Sequence, residues 1–268
     1  MHPTGRAMTS SFLSEAIFYR LSEKAERVRW CMEDIPWDEI RKDLVGPGWL
    51  ELIRQSAFSE LTTFTASQRF LKDFWDDADF TQWVSVWFYE ETRHPQALLK
   101  WLGHFGVMVD QDFLLQGRGT APFMKSRMGT LVSNIISEMV AASNYHSLHL
   151  HSPEPVLAGI ALNLAHDEAR HASSFYSYAR IHLARSQTPD RDRRDALKVL
   201  YLWFQDNERV KHPVNEFLHW QAGASQDGAY RRHVQEVFSD VKTKACRRIG
   251  KLVGVPIATP EDVLRHLG

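Results

Sequence analysis

A five-residue phrase occurs twice in this sequence, as Glu-Glu-Thr-Arg-His at positions 90–94 and as Asp-Glu-Ala-Arg-His at positions 167–171. In each copy a glutamate precedes a histidine by three residues. That spacing places both side chains on one face of an α-helix, because residues i and i+3 are neighbours on the helix surface. A carboxylate and an imidazole held side by side can bind a transition metal, so each copy predicts half of a metal site.

Each phrase is preceded by a further glutamate at almost the same distance. Glu60 lies 31 positions before Glu91, and Glu138 lies 30 positions before Glu168. The chain therefore contains two halves, each with a Glu followed by a Glu-x-x-His. This is the ligand set of di-iron and di-manganese carboxylate proteins built on four-helix bundles. We predict six metal ligands: Glu60, Glu91, His94, Glu138, Glu168 and His171.

A third Glu-x-x-His, formed by Glu216 and His219, lacks the features that the two phrases share. No acidic residue precedes Glu216, no Arg precedes His219, and no upstream Glu stands in register. Pro213 also interrupts a helix just before it. We interpret this pair as structural.

The types of the predicted ligands favour iron or manganese. They include no thiolate, which disfavours structural zinc and iron–sulfur clusters and suits a metal pair with positions left open for oxygen. Glu91 and Glu168 are the expected bridging ligands. We expect two iron ions, or a manganese/iron pair, with O2 as co-substrate. The alternative is that each Glu pairs with an Arg or Lys across the bundle, which leaves the two histidines unexplained.

The acidic residue before each ligand Glu has an expected role as well. A metal-bound histidine usually donates its other ring N–H to a carboxylate, which fixes the orientation of the ring. By the two-fold symmetry of the repeat we assign Asp167 to His94 and Glu90 to His171. The arginines of the phrases, Arg93 and Arg170, either neutralise these acids or lie at the surface.

Apolar residues flank all four predicted ligand positions at helical spacing, so each ligand should point into a core. Reading at steps of three or four gives four stripes: Trp83, Trp87, Glu91, His94, Leu98 and Trp101; Leu157, Ala161, Leu164, Glu168, His171, Phe175 and Tyr178; Trp49, Ile53, Ala57, Glu60, Phe64 and Leu71; Leu131, Ile135, Glu138, Ala142 and Tyr145.

The elements that must position these residues are predicted to be helices throughout. Helical periodicity covers the ranges 10–30, 49–75, 80–104, 124–150, 154–184, 190–220 and 228–250. The range 106–122 is long for a helix–helix connection and fits the crossover between two helical hairpins. We predict an all-α fold in a single domain over 1–268, with a four-helix bundle at about 49–184 and accessory helices at both ends.

Composition argues against several classes of partner. The formal net charge is −1 and charged residues make up 24% of the chain, so no overall field favours nucleic acid or a membrane surface. Two cysteines, Cys31 and Cys246, are too few for a disulfide framework. The N-terminus lacks an apolar signal region, and no stretch of 18 apolar residues follows. We expect a cytoplasmic protein that binds neither nucleic acid nor membrane.

The two phrases, each with its upstream Glu, resemble the soluble acyl-acyl-carrier-protein desaturases of the ferritin-like superfamily over about residues 50–180. The resemblance implies a ferritin-like bundle and a di-iron enzyme that uses O2 and two electrons to introduce a double bond into a fatty acyl chain. It also implies an acyl carrier protein that holds the chain, a ferredoxin-type electron donor and a homodimer. Trp87 falls where these enzymes keep a tryptophan thought to carry electrons, although core packing explains it equally well.

One residue departs from the family pattern. Plant-type members carry a Thr three residues after the ligand Glu of the helix that here contains Glu138, and this sequence has Ala141. No hydroxyl is available there to relay a proton. The departure favours an alternative with the same cofactor, a mono-oxygenase that hydroxylates a chain or oxidises an amine. A second alternative is an iron-oxidising or storage protein, although storage bundles are shorter.

Two charged clusters have weaker interpretations. A basic run on a late helix could dock an acidic carrier protein or form a solvated face; it comprises Lys242, Lys244, Arg247, Arg248 and Lys251. A group of histidines is more typical of a polar helix end than of a metal site; it comprises His146, His149, His151 and His166.

Overall fold

The computed structural model describes residues 16–119, 125–205 and 228–267. These ranges contain α-helices and short 3-10 turns and no β-strand, so the predicted all-α fold is confirmed. The helices are α1 (Phe18–Val28), α2 (Pro47–Glu60), α3 (Thr63–Asp73), α4 (Ala78–Gly103), α5 (Gln111–Gln116), α6 (Arg127–His151), α7 (Pro155–Arg185), α8 (Pro189–Trp203), α9 (Gly228–Val253) and α10 (Leu264–Leu267).

Local sequence explains where the long helices start. Helices α2, α7 and α8 have a proline in the first turn, where the missing N–H has no intrahelical acceptor anyway. Asp77 caps α4 by accepting a hydrogen bond from the backbone N–H of Phe80. Ser126 caps α6 in the same way through the N–H of Gly129.

Four helices enclose the predicted ligands. Helices α6 and α7 pack along each other and are joined by the short connection 152–154, which makes them an antiparallel hairpin. Helix α2 packs against α4, and α4 packs against α7. Helices α8 and α9 pack against α6, and α1 packs against α4. The helices outside the predicted bundle thus cover its sides.

Two predicted segments differ from the structure. The range 49–75 is two helices, because the chain tightens at residues 61–62, where Leu61 and Thr62 donate to carbonyls three residues back. The Thr62 hydroxyl donates to the carbonyl of Ser59 and competes with the regular helix pattern. The connection 106–122 contains α5. The Glu216–His219 pair lies outside the described residues, as does the end of the predicted range 190–220.

Apolar side chains form two clusters that lie on either side of the ligands along the bundle. On α4, Trp83 and Trp87 belong to one cluster, and Leu98 and Trp101 belong to the other. Helix α7 repeats this order, with Phe175 in the first cluster and Leu157 and Leu164 in the second. The ligand positions between them are therefore shielded from water at both ends.

The predicted apolar stripes are mostly buried, with one error. Leu71 is 48% exposed, because the break at residues 61–62 shifts the register of α3 relative to α2. Both cysteines are free thiols, Cys31 exposed and Cys246 buried. No helix in the described ranges has the length and apolar character that crossing a bilayer requires.

Helix α1 is attached to the bundle through a buried carboxylate. Asp79 accepts hydrogen bonds from the backbone N–H groups of Ile17 and Phe18, at the start of α1. The hydroxyl of Tyr178 on α7 also donates to Asp79, at 3.2 Å. One side chain near the start of α4 thus connects three helices.

Glu154 connects four backbone and side-chain donors at the start of α7. Its fully buried carboxylate accepts from the N–H groups of Val156 and Leu157 at 3.1 and 2.8 Å. It also accepts from the indole of Trp101 at 2.9 Å and from the backbone N–H of Arg41 at 3.3 Å. The same group therefore caps α7 and attaches α4 and the segment before α2 to it.

Replacing Glu154 with Ala should lower the free energy of unfolding by about 3 kcal/mol or more, because several buried donors lose their acceptor together. The matched control is Asp110→Ala, which removes the exposed cap of the short helix α5 and should cost about 1 kcal/mol. Urea denaturation of both variants in the same metal state measures the difference. Equal losses would show that burial at Glu154 adds nothing to an ordinary cap.

Candidate metal centre

The structure brings the six predicted ligands together from four helices. Their ligand atoms form two overlapping groups, within each of which all atoms lie within 4.8 Å of one another. Every member is buried, with at most 9% of its surface exposed. Each group could hold a metal ion. One comprises Glu60, Glu91, His94 and Glu168, and the other Glu91, Glu138, Glu168 and His171.

Glu91 and Glu168 belong to both groups, which is the arrangement that two bridging ligands require. They lie in the middle of α4 and α7, three residues before the histidine of the same helix. Glu60 is the last residue of α2, and Glu138 lies in the middle of α6. Each half of the repeat therefore supplies one helix with a Glu and one with a Glu-x-x-His.

Each histidine directs one ring nitrogen toward the carboxylates and the other toward an outer acid. His94 Nδ1 lies 3.5 Å from Glu60 and 3.3 Å from Glu168, while its Nε2 lies 3.3 Å from Asp167.

His171 repeats this arrangement. Its Nδ1 lies 2.8 Å from Glu91, and its Nε2 lies 3.0 Å from Glu90. The structure thus places Asp167 against His94 and Glu90 against His171, each across two helices, as the repeat predicts.

Four atoms that face the centre are sealed from solvent and make no well-aligned hydrogen bond within the described part of the chain. They are His94 Nδ1, His171 Nδ1, Glu91 Oε1 and Glu168 Oε2, and they lie close to one another, with His171 Nδ1 2.8 Å from Glu91 Oε1. Buried polar atoms normally have partners, so a group of four that converge on one place needs an explanation. Nitrogen and oxygen atoms with free lone pairs are what a transition metal binds. The residues present therefore fit a pair of metal ions.

The charges of the site support the same fit. The outer acids have protein counter-charges: Arg170 lies 2.9 Å from Glu90 and 2.8 Å from Asp167, and Arg29 lies 3.5 Å from Glu90. Among the described residues, the ion pairs of the four inner carboxylates within 4 Å involve only the two histidines. The alternative of an Arg or Lys for each inner Glu is therefore wrong for the described part of the chain. Two divalent cations would balance four buried negative charges.

Protons compensate this charge when no metal does. Burial and the neighbouring Glu168 carboxylate raise the pKa of Glu91 to about 7. Burial and the charges of Glu168 and Glu91 raise the pKa of Glu138 well above its usual value. Burial acts to lower the pKa of each histidine, but the surrounding carboxylates, which include the outer acids hydrogen-bonded to Nε2, raise it well above the usual value. A metal ion would replace these protons, so its binding would release them.

Three donors contact the inner carboxylates directly. The Thr63 hydroxyl donates to Glu91 at 3.1 Å, the Tyr145 hydroxyl donates to Glu60, and the Trp87 indole donates to Glu138 at 3.2 Å. Sequence reasoning missed the first two. Two features of the sequence could have indicated them. Thr63 lies three residues after Glu60, and the hydroxyl of a buried Tyr145 needs a hydrogen-bond partner. The role of Trp87 in carrying electrons stays a prediction.

A tryptophan outside the repeat also reaches the site. The indole N–H of Trp30, in the segment after α1, donates to Asp167 Oδ2 at 2.9 Å. The same oxygen faces His94 Nε2, so Trp30, Asp167 and His94 form one hydrogen-bonded chain. The sequence carries no signal for this contact, because Trp30 is far along the chain from both of its partners.

The two phrase arginines behave differently. Arg170 neutralises both outer acids. Arg93 does neither of the things expected of it, because it is 6% exposed and its guanidinium lies over the ring of Trp30 at 4.1 Å.

The remaining sequence candidates stand apart from the centre. Ala141 packs at the edge of the second apolar cluster and brings no hydroxyl. The histidine-rich patch forms no group of metal ligands in the described ranges. His149 Nδ1 lies 2.9 Å from the carbonyl of Ala158, and the other three histidines of the patch are exposed, which agrees with a polar helix end.

Comparison with known proteins assigns no family to the chain: no protein-family model matches it, and no curated protein matches it.

Replacing Glu138 with Gln should change stability in opposite directions in the two metal states. In metal-free protein the free energy of unfolding should rise by up to about 2 kcal/mol, because Gln is neutral without the proton that Glu138, with its raised pKa, must take up on folding. With saturating Mn(II) the variant should be less stable than the loaded parent by about 2 kcal/mol or more, because one ion loses a ligand.

Urea denaturation with and without Mn(II) measures both differences, and metal analysis checks that the variant binds fewer than two ions per chain. The matched control is Asp79→Asn, a buried carboxylate outside the site, which should lower stability equally in both states. An equal loss at Glu138 in both states would contradict the metal centre.

Proposed function

We propose that this protein is a di-iron, O2-dependent oxidoreductase that introduces a double bond into a fatty acyl chain attached to a carrier protein. The observation that carries the proposal is the pair of overlapping ligand groups that share Glu91 and Glu168. Their nitrogen and oxygen donors suit iron, and their balance of charge suits two divalent ions. The resemblance of both phrases to the soluble acyl-carrier-protein desaturases supports the choice of reaction.

In this proposal Glu60 and His94 complete one iron site, and Glu138 and His171 complete the other. The iron pair, when bound, supplies the oxidation of an unactivated C–H bond by O2. The protein supplies orientation: Asp167 and Glu90 hold the outer nitrogens of the histidines, which fixes both rings.

The residues around the site would exclude water and supply protons. The apolar clusters at both ends exclude water from it, which protects an oxidising centre from side reactions. The hydroxyls of Thr63 and Tyr145 hold protons against Glu91 and Glu60, although Ala141 provides none. Proton supply in this protein would therefore come from α3 and α6 through these two residues.

Electrons would reach the centre through Trp30. Its indole is buried, and it lies in the short segment between α1 and a 3-10 turn at Met32–Asp34. It is hydrogen-bonded through Asp167 to His94. An aromatic ring linked by hydrogen bonds to a ligand suits delivery from a ferredoxin-type donor outside the protein.

The carrier protein would dock on α9. Lys244, Arg247 and Lys251 are exposed on one face of this helix, and an acidic carrier complements that charge. The ion pair of Lys244 with Asp240 offsets part of it. The homodimer that the resemblance implies stays a prediction.

A mono-oxygenase with the same iron pair is the second candidate, and Ala141 is the observation that favours it. Both reactions would use the same bound iron pair and would differ in how the protein places the substrate and supplies protons.

A single-turnover experiment separates the candidates. The protein is loaded with Fe(II), reduced, and exposed to O2 with acyl-carrier-protein thioesters of several chain lengths, with the same chains as free acids, or with no substrate. We expect loss of two hydrogens from a carrier-bound chain and no change in the free acids, as measured by mass spectrometry.

The matched control is Glu168→Ala, which lacks a shared carboxylate and should be inactive. A gain of one oxygen would identify the mono-oxygenase. Mineral formed with no change in any substrate would identify an iron-oxidising protein. Either result contradicts the desaturase proposal.

Replacing Trp30 with Phe should slow reduction of the iron pair by an external donor about tenfold or more and leave the iron content unchanged, because the link to Asp167 is lost. Stopped-flow absorbance measures the rate. Trp75→Phe is the control, since that indole is 78% exposed. A slow Trp87→Phe variant beside a normal Trp30→Phe variant would assign the route to Trp87 instead.

A further inference from the structure

The equivalent arginines of the two phrases have different environments. Arg170 contacts both outer acids, at 2.9 Å and 2.8 Å. Arg93 is 6% exposed, and neither its Nη1 nor its Nη2 has a hydrogen-bond partner among the residues that the structure describes. Its guanidinium carbon lies 4.1 Å from the ring centre of Trp30 and 5.8 Å from that of Tyr89. The repeat is therefore symmetric in its ligands and asymmetric in this pair of charges.

A buried guanidinium whose two Nη atoms lack hydrogen-bond partners is unfavourable, and the aromatic faces compensate it only in part. Both Nη atoms are sealed from solvent, so Arg93 does not present them to a free anion. Its charge acts instead on the ring beneath it. That ring belongs to the tryptophan that is hydrogen-bonded to Asp167 and, through it, to His94.

A cation over an indole changes how easily the indole gives up an electron. The neutral ring attracts the cation through its π-face. Removing one electron leaves a positive ring, and attraction becomes repulsion between like charges a few ångströms apart. Arg93 therefore makes the oxidised form of Trp30 less stable than it would be beside a neutral side chain.

We propose that Arg93 is a positioning residue that acts through Trp30 and keeps this indole reduced, so that electrons pass inward along the route and Trp30 is not consumed. The inference rests on the proposed function, because it assumes an oxidising centre at His94. Arg170 has no such role, since its charge is engaged by the outer acids.

The reaction that Arg93 would prevent is a two-electron oxidation of the Trp30 indole. Without reductant or substrate, Trp30 would lose two electrons, one after the other, to an iron pair bound at the site and oxidised by O2. Water adds to the indole, two protons are released, and the product is a hydroxytryptophan, heavier than tryptophan by one oxygen atom. The indole would be oxidised by two electrons, and the bound iron pair would accept them.

The test compares the parent with Arg93→Met, which keeps an apolar contact on the ring, and Arg93→Lys, which keeps the charge. Each protein is loaded with Fe(II) and exposed to O2 without reductant or substrate, and peptide mass spectrometry measures oxygen added at Trp30. We expect about tenfold or more additional oxidation in Arg93→Met and a value near the parent in Arg93→Lys. Oxidation of Trp87 in the same samples should not change.

A second arm uses metal-free protein and azide radicals from pulse radiolysis as the one-electron oxidant, and the same order of Trp30 oxidation is expected. Arg248→Met is the matched control, because it removes a partly buried guanidinium from the ring of Tyr176, on other helices. Equal Trp30 oxidation in the parent and Arg93→Met would overturn the proposal. Absence of iron binding and O2 consumption in every protein would overturn the proposed function, and the metal-free arm would still decide the role of Arg93.

Discussion

Repulsion among four buried carboxylates is the constraint on which the rest of this structure depends. Burial removes the hydration of each charge, and the charges repel one another because they lie close together. The chain supplies arginine to the outer acids and leaves the inner acids to the histidines, to protons or to metal ions. The two apolar clusters hold the four helices together around this unfavourable layer. The stability of the fold and its affinity for metal ions therefore both depend on how the charge of the inner carboxylates is compensated.

The sequence predicts the inner part of the site well, because helical spacing is local. The spacing of three positions from Glu91 to His94 determines that both side chains share a face, whatever else the helix contacts. Duplication of the phrase then places the acid of one helix against the histidine of the other, as found for Asp167 and His94. The all-α fold and most helix positions follow from the same periodicity.

The parts that could not be predicted depend on contacts between distant segments or on small shifts of register. Trp30 reaches Asp167 from just beyond the end of α1, and no spacing along the sequence links the two residues. Leu71 is exposed because two residues after Glu60 tighten the helix. Arg93 and Arg170 occupy the same place in the repeat, yet in the described ranges Arg170 contacts two acids and Arg93 contacts the ring of Trp30, so their environments diverge.

The attachment of α1 has a consequence for the dynamics of the protein. Asp79 holds the beginning of this helix, and the contacts of Arg29 with Glu90 and of Trp30 with Asp167 hold the segment that follows its end. A segment fastened at two separate points opens only when both release together, so partial unfolding of α1 should be a cooperative and infrequent event. The hydrogen-exchange rate of the slowest amides of α1 would then measure how often water reaches Nε2 of His94.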